Sequence, residues 1–137
     1  MRGLLPFATA LALLLSADIG VAQTTCRGDQ KSMAVAELLF GRNIGGRFGV
    51  TEAKWARFLA AEVTSRFPDG LTVYDAYGQW RDRTSSRIAR ERSKVVMIVL
   101  AGDAADDEKL RQIIDAYKSR FKQQSVGLIV RPACVSF

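Results

Sequence analysis

Between Arg81 and Lys94 the chain carries six cations, Arg81, Arg83, Arg87, Arg90, Arg92 and Lys94, against two anions, Asp82 and Glu91. This segment therefore holds +4 of the chain's formal charge of +6. Gln79 and Trp80 stand directly before it. Guanidinium forks match the planar oxygens of carboxylates and phosphates. An indole offers a flat face for stacking, and a glutamine side chain offers both a donor and an acceptor. Gln79, Trp80, Arg81, Arg90 and Glu91 are thus the candidate ligand-binding residues, with an anionic compound as the ligand. A structural reading competes with this one. Glu91 would pair with Arg81 or Arg90 across a hairpin as part of an ionic brace, and Trp80 would fill core space.

Other chemistries are constrained by what the chain lacks. It contains no histidine. That excludes Ser-His-Asp and Cys-His catalysis, histidine metal sites and histidine-ligated haem. Acid–base work would fall to Tyr74, Asp75, Tyr77 and Glu91, but these form no complete catalytic constellation, and no catalytic residue is assigned. The acidic group Asp103, Asp106, Asp107 and Glu108 lacks the spacing of an EF-hand. Negative side chains there suit a helix N-terminus. No metal and no cofactor is expected. "GRNIGGRFGVT" is neither a Walker A loop nor GxGxxG. Its backbone N–H groups could cradle an anion, but we read it as a flexible strand-to-helix connection.

The elements that must position these residues follow from periodicity. Met33 to Phe40 is a mostly apolar run, read as a strand. Thr51 is placed to cap a helix whose apolar stripe is Trp55, Phe58, Leu59, Val63 and Phe67. Pro68-Asp69-Gly70 ends it in a turn. "LTVYDAYGQW" is β-branched and aromatic, hence a strand, with a bend or bulge at Asp75 to Gly78. "DRTSSRIARER" is polar enough for a long hairpin connection. Ser93 to Leu100 is a buried strand. A second helix carries Leu110, Ile113, Ile114, Tyr117 and Phe121, and Ser125 to Cys134 is a last strand, at an edge or strand end because of Pro132.

The order β-α-β-β-α-β predicts an α+β fold, the ferredoxin-like βαββαβ sandwich. Its antiparallel four-stranded sheet, in order 4-1-3-2, carries two helices on one face. In that order the end of the fourth strand lies near the start of the first. Cys134 and Cys26 occupy those places, and a lone pair in an oxidising compartment forms a disulfide. Neither Val95 to Leu100 nor Leu128 to Val130 alternates apolar with polar, as a sheet with one wet face should. The face away from the helices is therefore expected to pack on a second sheet, most simply in a homodimer.

Arg2, the apolar stretch Leu4 to Ala17, and Gly20-Val21-Ala22 have the pattern of a secretory signal peptide over residues 1–22. Residues 23–137 then form one domain, located in the periplasm or secreted. Gln23-Thr24-Thr25 before Cys26 is no lipoprotein box, so no membrane anchor is expected after cleavage. A basic exported protein faces acidic lipid, polyanionic envelope material or small anions, and nucleic acid is not an expected partner.

Trp55, Phe58, Leu59, Phe67-Pro68-Asp69-Gly70-Leu71-Thr72-Val73, Asp75 and Gly78-Gln79-Trp80-Arg81, followed by Ile88, Arg90-Glu91 and Ser93-Lys94-Val95, resemble domain of unknown function 3574. The resemblance runs from about Glu37 to Val130 and implies a small exported bacterial protein. Many members of that family look like lipoproteins, and this chain departs from them in lacking the box. No activity comes with the resemblance. The expected function is a non-catalytic binding or interaction module that recognises an anionic ligand or envelope partner through residues 79–94. A cofactor-free enzyme of the dimeric ferredoxin-like type and a purely structural assembly protein are the alternatives.

Overall fold

The computed structural model describes residues 25–82 and 85–137. The expected signal peptide and Arg83 lie outside the described residues. Four long strands form one antiparallel sheet: β1 (Lys31–Gly41), β4 (Thr72–Arg81), β5 (Ile88–Leu100) and β6 (Gly127–Val135), in the order β4-β5-β1-β6. Between β1 and the first helix a small hairpin is made by β2 (Asn43–Ile44) and β3 (Arg47–Phe48). Helix α1 (Glu52–Phe58) continues as a π-helical segment, Leu59–Thr64, and α2 (Asp106–Phe121) precedes β6. This is the ferredoxin-like α+β sandwich, and its strand order is the expected 4-1-3-2 read from the opposite edge.

Local chemistry accounts for the helix ends. Thr51 is extended, and its Oγ1 accepts from the Lys54 N–H at 3.3 Å. At the start of α2, the Asp103 carboxylate accepts from the Ala105 N–H at 2.9 Å and Asp106 accepts from the Asp103 N–H at 3.1 Å. The acidic group thus folds a turn ahead of the helix and sets Asp106, Asp107 and Glu108 in its first turn, where the dipole favours them. The single continuous helix expected after Thr51 is instead α-helical and then π-helical. The reason lies in the stripe: the spacing from Phe58 to Val63 is too long for one α-turn, and i→i+5 winding returns Val63 to the buried face.

The core is aromatic. The Phe40 ring, fully buried on β1, lies 5.2 Å from Trp55, 5.8 Å from Phe58 and 4.7 Å from Tyr117. Ala36, Leu38, Val96 and Ile98 complete the helix-facing side of the sheet. On β1 and β5 strict alternation places Met33, Val35, Glu37 and Leu39, with Val95, Met97 and Val99, on the opposite, open face. β6 is an edge strand, consistent with Pro132, and Cys26 is bonded to Cys134 across 108 residues of sequence.

Three sequence expectations are corrected. β4 pairs with β5 without interruption from Thr72↔Met97 to Arg81↔Ile88, so no bulge interrupts Asp75 to Gly78. The hairpin connection is short, because Ile88 to Arg92 is already strand. Its polarity had masked this. On this arm the helix-side residues Ile88, Arg90 and Arg92 are exposed and Ala89 and Glu91 on the other face are only half-buried, so no apolar alternation is demanded of it. Finally, "GRNIGGRFGVT" is a built hairpin rather than a flexible connection. Gly45 and Gly46 take φ of 59° and 80°, the left-handed pair that a two-residue turn requires.

Candidate ligand-binding faces of the hairpin

The β4–β5 register divides the five candidate residues. Gln79 stands opposite Arg90, and Arg81 opposite Ile88, on the helix side of the arm. Arg92 and Tyr77 form the next pair on that side, and the Arg92 guanidinium lies 5.6 Å from the Phe48 ring centroid. Trp80 and Glu91 project from the other face. Gln79, Arg81 and Arg90 are therefore brought together on one face, and Trp80 and Glu91 on the other; of the first group, Gln79 also lines the cleft that Trp80 and Glu91 border.

On the helix side, the base of the arm is an ion-pair chain. Buried Arg42 donates from Nε to the Val50 carbonyl at 2.8 Å and from Nη1 to Glu52 at 2.6 Å. Lys94, also buried, reaches Glu52 at 3.1 Å and Asp75 at 2.6 Å. The Lys94 ammonium holds the Asp75 carboxyl below its ordinary value, and Lys94, then Arg42, does the same to Glu52. Arg42 is the main participant missed by sequence reasoning. Its place beside a glycine-rich turn hid it, and only the folding of that turn over the sheet buries it.

Beyond this chain the cations lose their partners. Among the described residues, Arg81, Arg87 and Arg90 form no ion pair, and all are exposed. The expected bridge from Glu91 to Arg81 or Arg90 is absent because Glu91 points to the opposite face. There its Oε1 accepts from the Trp80 indole N–H at 2.9 Å and its Oε2 from the Asn43 N–H at 3.0 Å. Trp80, 41% exposed, is not a core filler, whereas Trp55 is buried as its stripe position implies.

Glu91 and Trp80 border a cleft of about 490 Å³ in the corner between the projecting arm and the ends of β1 and β6. Gly41, Ala76, Gly78 and Ser93 line it beneath Glu91, while Gly45, Gly46 and the segment from Lys122 to Ser125 form other walls. Gly41 is required: a Cβ there would sit 2.6 Å from Glu91 Oε1. Two bonds from the α2 end brace this corner. Tyr117 donates to the Gly41 carbonyl at 2.8 Å, and Gln123 donates to the Asn43 carbonyl at 2.6 Å.

The four acid–base candidates do not converge on one point. Tyr74 donates to Glu37 on the open face at 3.3 Å, and its phenol is raised by desolvation and then by that carboxylate. Asp75 is tied to Lys94 on the helix side, while Tyr77, largely exposed, and Glu91 both line the cleft. Among the described residues, no group of three or more Cys, Asp or Glu side chains is arranged to hold a metal ion, and no helix is long and apolar enough to cross a membrane.

Solved structures share this architecture at low identity. Phage SAM lyase in complex with S-methyl-5′-thioadenosine aligns with a TM-score of 0.59 and 15% identity, over 82% of this chain and 94% of that one. The same lyase in its apo state gives 0.57 and 14%, over 77% and 86%. CutA from Synechococcus elongatus gives 0.48 and 13%, over 75% and 78%. No curated protein matches the chain. The likeness to the lyase extends to the fold alone. Residues 35–137 match the proteins of unknown function DUF3574, and the chain belongs to that family.

Proposed function

We propose that this protein is an exported, non-catalytic binding module, periplasmic or secreted, that recognises an anionic small molecule or envelope component through the helix-side face of its hairpin. One observation carries the reading. The strand register collects Gln79, Arg81, Arg90 and Arg92 on one exposed face, and Arg81 and Arg90 there have no carboxylate partner among the described residues. Unpaired guanidinium groups held on a paired strand form a preorganised surface for carboxylate or phosphate oxygens. Export is supported by the apolar N-terminal segment and by the cysteine pair.

The test is the double variant Arg81→Ala/Arg90→Ala, titrated with inorganic phosphate, citrate and polyphosphate. Affinity falls by about tenfold or more, while the melting temperature stays within about 2 °C of wild type. Unchanged affinity overturns the proposal. A large drop in melting temperature favours the structural brace instead.

The module is proposed to act as a homodimer through the open face of the sheet. Leu39 and Ile129 are exposed there, beside half-buried Met33, Met97 and Val99. Such a face, whose apolar residues surround the Glu37–Arg131 ion pair and Tyr74, is the kind that sheet-on-sheet packing covers. Met97→Glu should convert a dimer to a monomer in sedimentation equilibrium, and a wild type that sediments as a monomer defeats the idea.

The enzyme alternative draws less support. The phage lyase uses this fold with a bound thioadenosine, but a shared fold carries no residues across. The candidate acid–base groups lie on different faces, and Asp75 is held low rather than raised toward neutrality.

A further inference from the structure

We propose a second binding site, for a small organic cation, in the cleft between the hairpin arm and the end of β1. It lies on the opposite face from the arginines and does not depend on them. Its volume of about 490 Å³ is that of a small-molecule site. Among the described residues, the charged ones that line it are Glu91, Asp82 and Lys122, in a chain of formal charge +6.

Glu91 is the anchor. Its two oxygens are oriented by the Trp80 indole N–H and the Asn43 backbone N–H. A carboxylate has about four acceptor positions, so roughly half remain for a ligand. The glycine at position 41 lets the carboxylate lie against bare backbone, since a Cβ there would stand within 2.6–2.8 Å of its three terminal atoms. Trp80 completes the pair of groups that an organic cation requires. Trp80 is 41% exposed as a residue, lines the same cleft, and is fixed in place by the bond from its indole N–H to Glu91. An aromatic face beside an oriented carboxylate attracts ammonium or guanidinium groups through its quadrupole and its charge together. An anion would meet the Glu91 charge first.

The test uses the mature protein in its own oligomeric state, titrated with agmatine, putrescine and choline. The chain has two tryptophans, so the indole N–H resonances report separately on Trp80 and Trp55. Trp80 should shift saturably with at least one probe while Trp55 stays in place. Glu91→Gln, and separately Ala76→Leu, which fills the cleft without removing the carboxylate, should each weaken that binding by about tenfold. Arg81→Ala/Arg90→Ala should leave it unchanged, which separates this site from the anionic one. No saturable shift with any of the three probes up to about 10 mM, or binding retained in both cleft variants, overturns the inference.

Discussion

Replacing Cys26 and Cys134 together by serine lowers the melting temperature by on the order of 15 °C or more. The bond joins residues 108 apart in sequence, so it restrains nearly the whole unfolded domain. In the chain-entropy account a loop of this length is worth about 4–5 kcal/mol. The folded state gives little of this back. Ser32 already pairs with Cys134 in the β1–β6 ladder, so the C-terminal cysteine is held by the sheet, and the bond ties down only the short segment before β1. The same fall should appear when wild type is melted in excess reductant, and the serine variant should then show no further change. A difference of less than about 3 °C between variant and wild type would mean that the staple restrains nothing the sheet has not already restrained.

Phe40→Ala is expected to destabilise the domain by about 3–5 kcal/mol in urea unfolding. Phe40 sits at the end of β1, fully buried, and contacts Trp55, Phe58 and Tyr117, which come from both helices. Truncation removes the ring on which both helices rest, and rigid aromatic neighbours collapse poorly into the space left behind. The effect should reach the cleft as well. Gly41 follows Phe40 and accepts from Tyr117, so a shifted Tyr117 loosens the backbone beneath Glu91. In the variant the Trp80 indole N–H should lose protection from solvent exchange relative to wild type. A loss below about 1 kcal/mol would show that the aromatic cluster can repack around a void.

Much of this structure was legible as local chemistry. The Thr51 cap, the acidic start of α2 and the stripes that bury Trp55, Phe58, Val63, Leu110 and Phe121 each follow from residue type and spacing. The β-α-β-β-α-β order leaves few ways to pair four strands, and the pairing of Cys26 with Cys134 agrees with the one observed. The projecting half of the hairpin was harder to read, for a physical reason. Apolar alternation marks a strand only where one face is well buried, and from Ile88 to Arg92 neither face is: one is exposed and the other only half-buried.

The candidate site turned on a quantity no single segment carries. Gln79, Trp80 and Arg81 are neighbours in the chain, and so are Arg90 and Glu91, yet the pleat sends adjacent residues to opposite sides of the sheet. Which of them meet depends on the register between two strands, and a shift of one residue would exchange their partners. Likewise the charge of Arg42 reveals nothing of its burial, which arises only when the Gly45-Gly46 hairpin folds across the sheet end. Composition and periodicity thus specify the long strands, the helices and their order, because those rest on interactions a few residues apart. The split of one basic segment into an arginine face and a carboxylate-bearing cleft rests on contacts between β4, β5 and the end of β1, and those exist only in the assembled sheet.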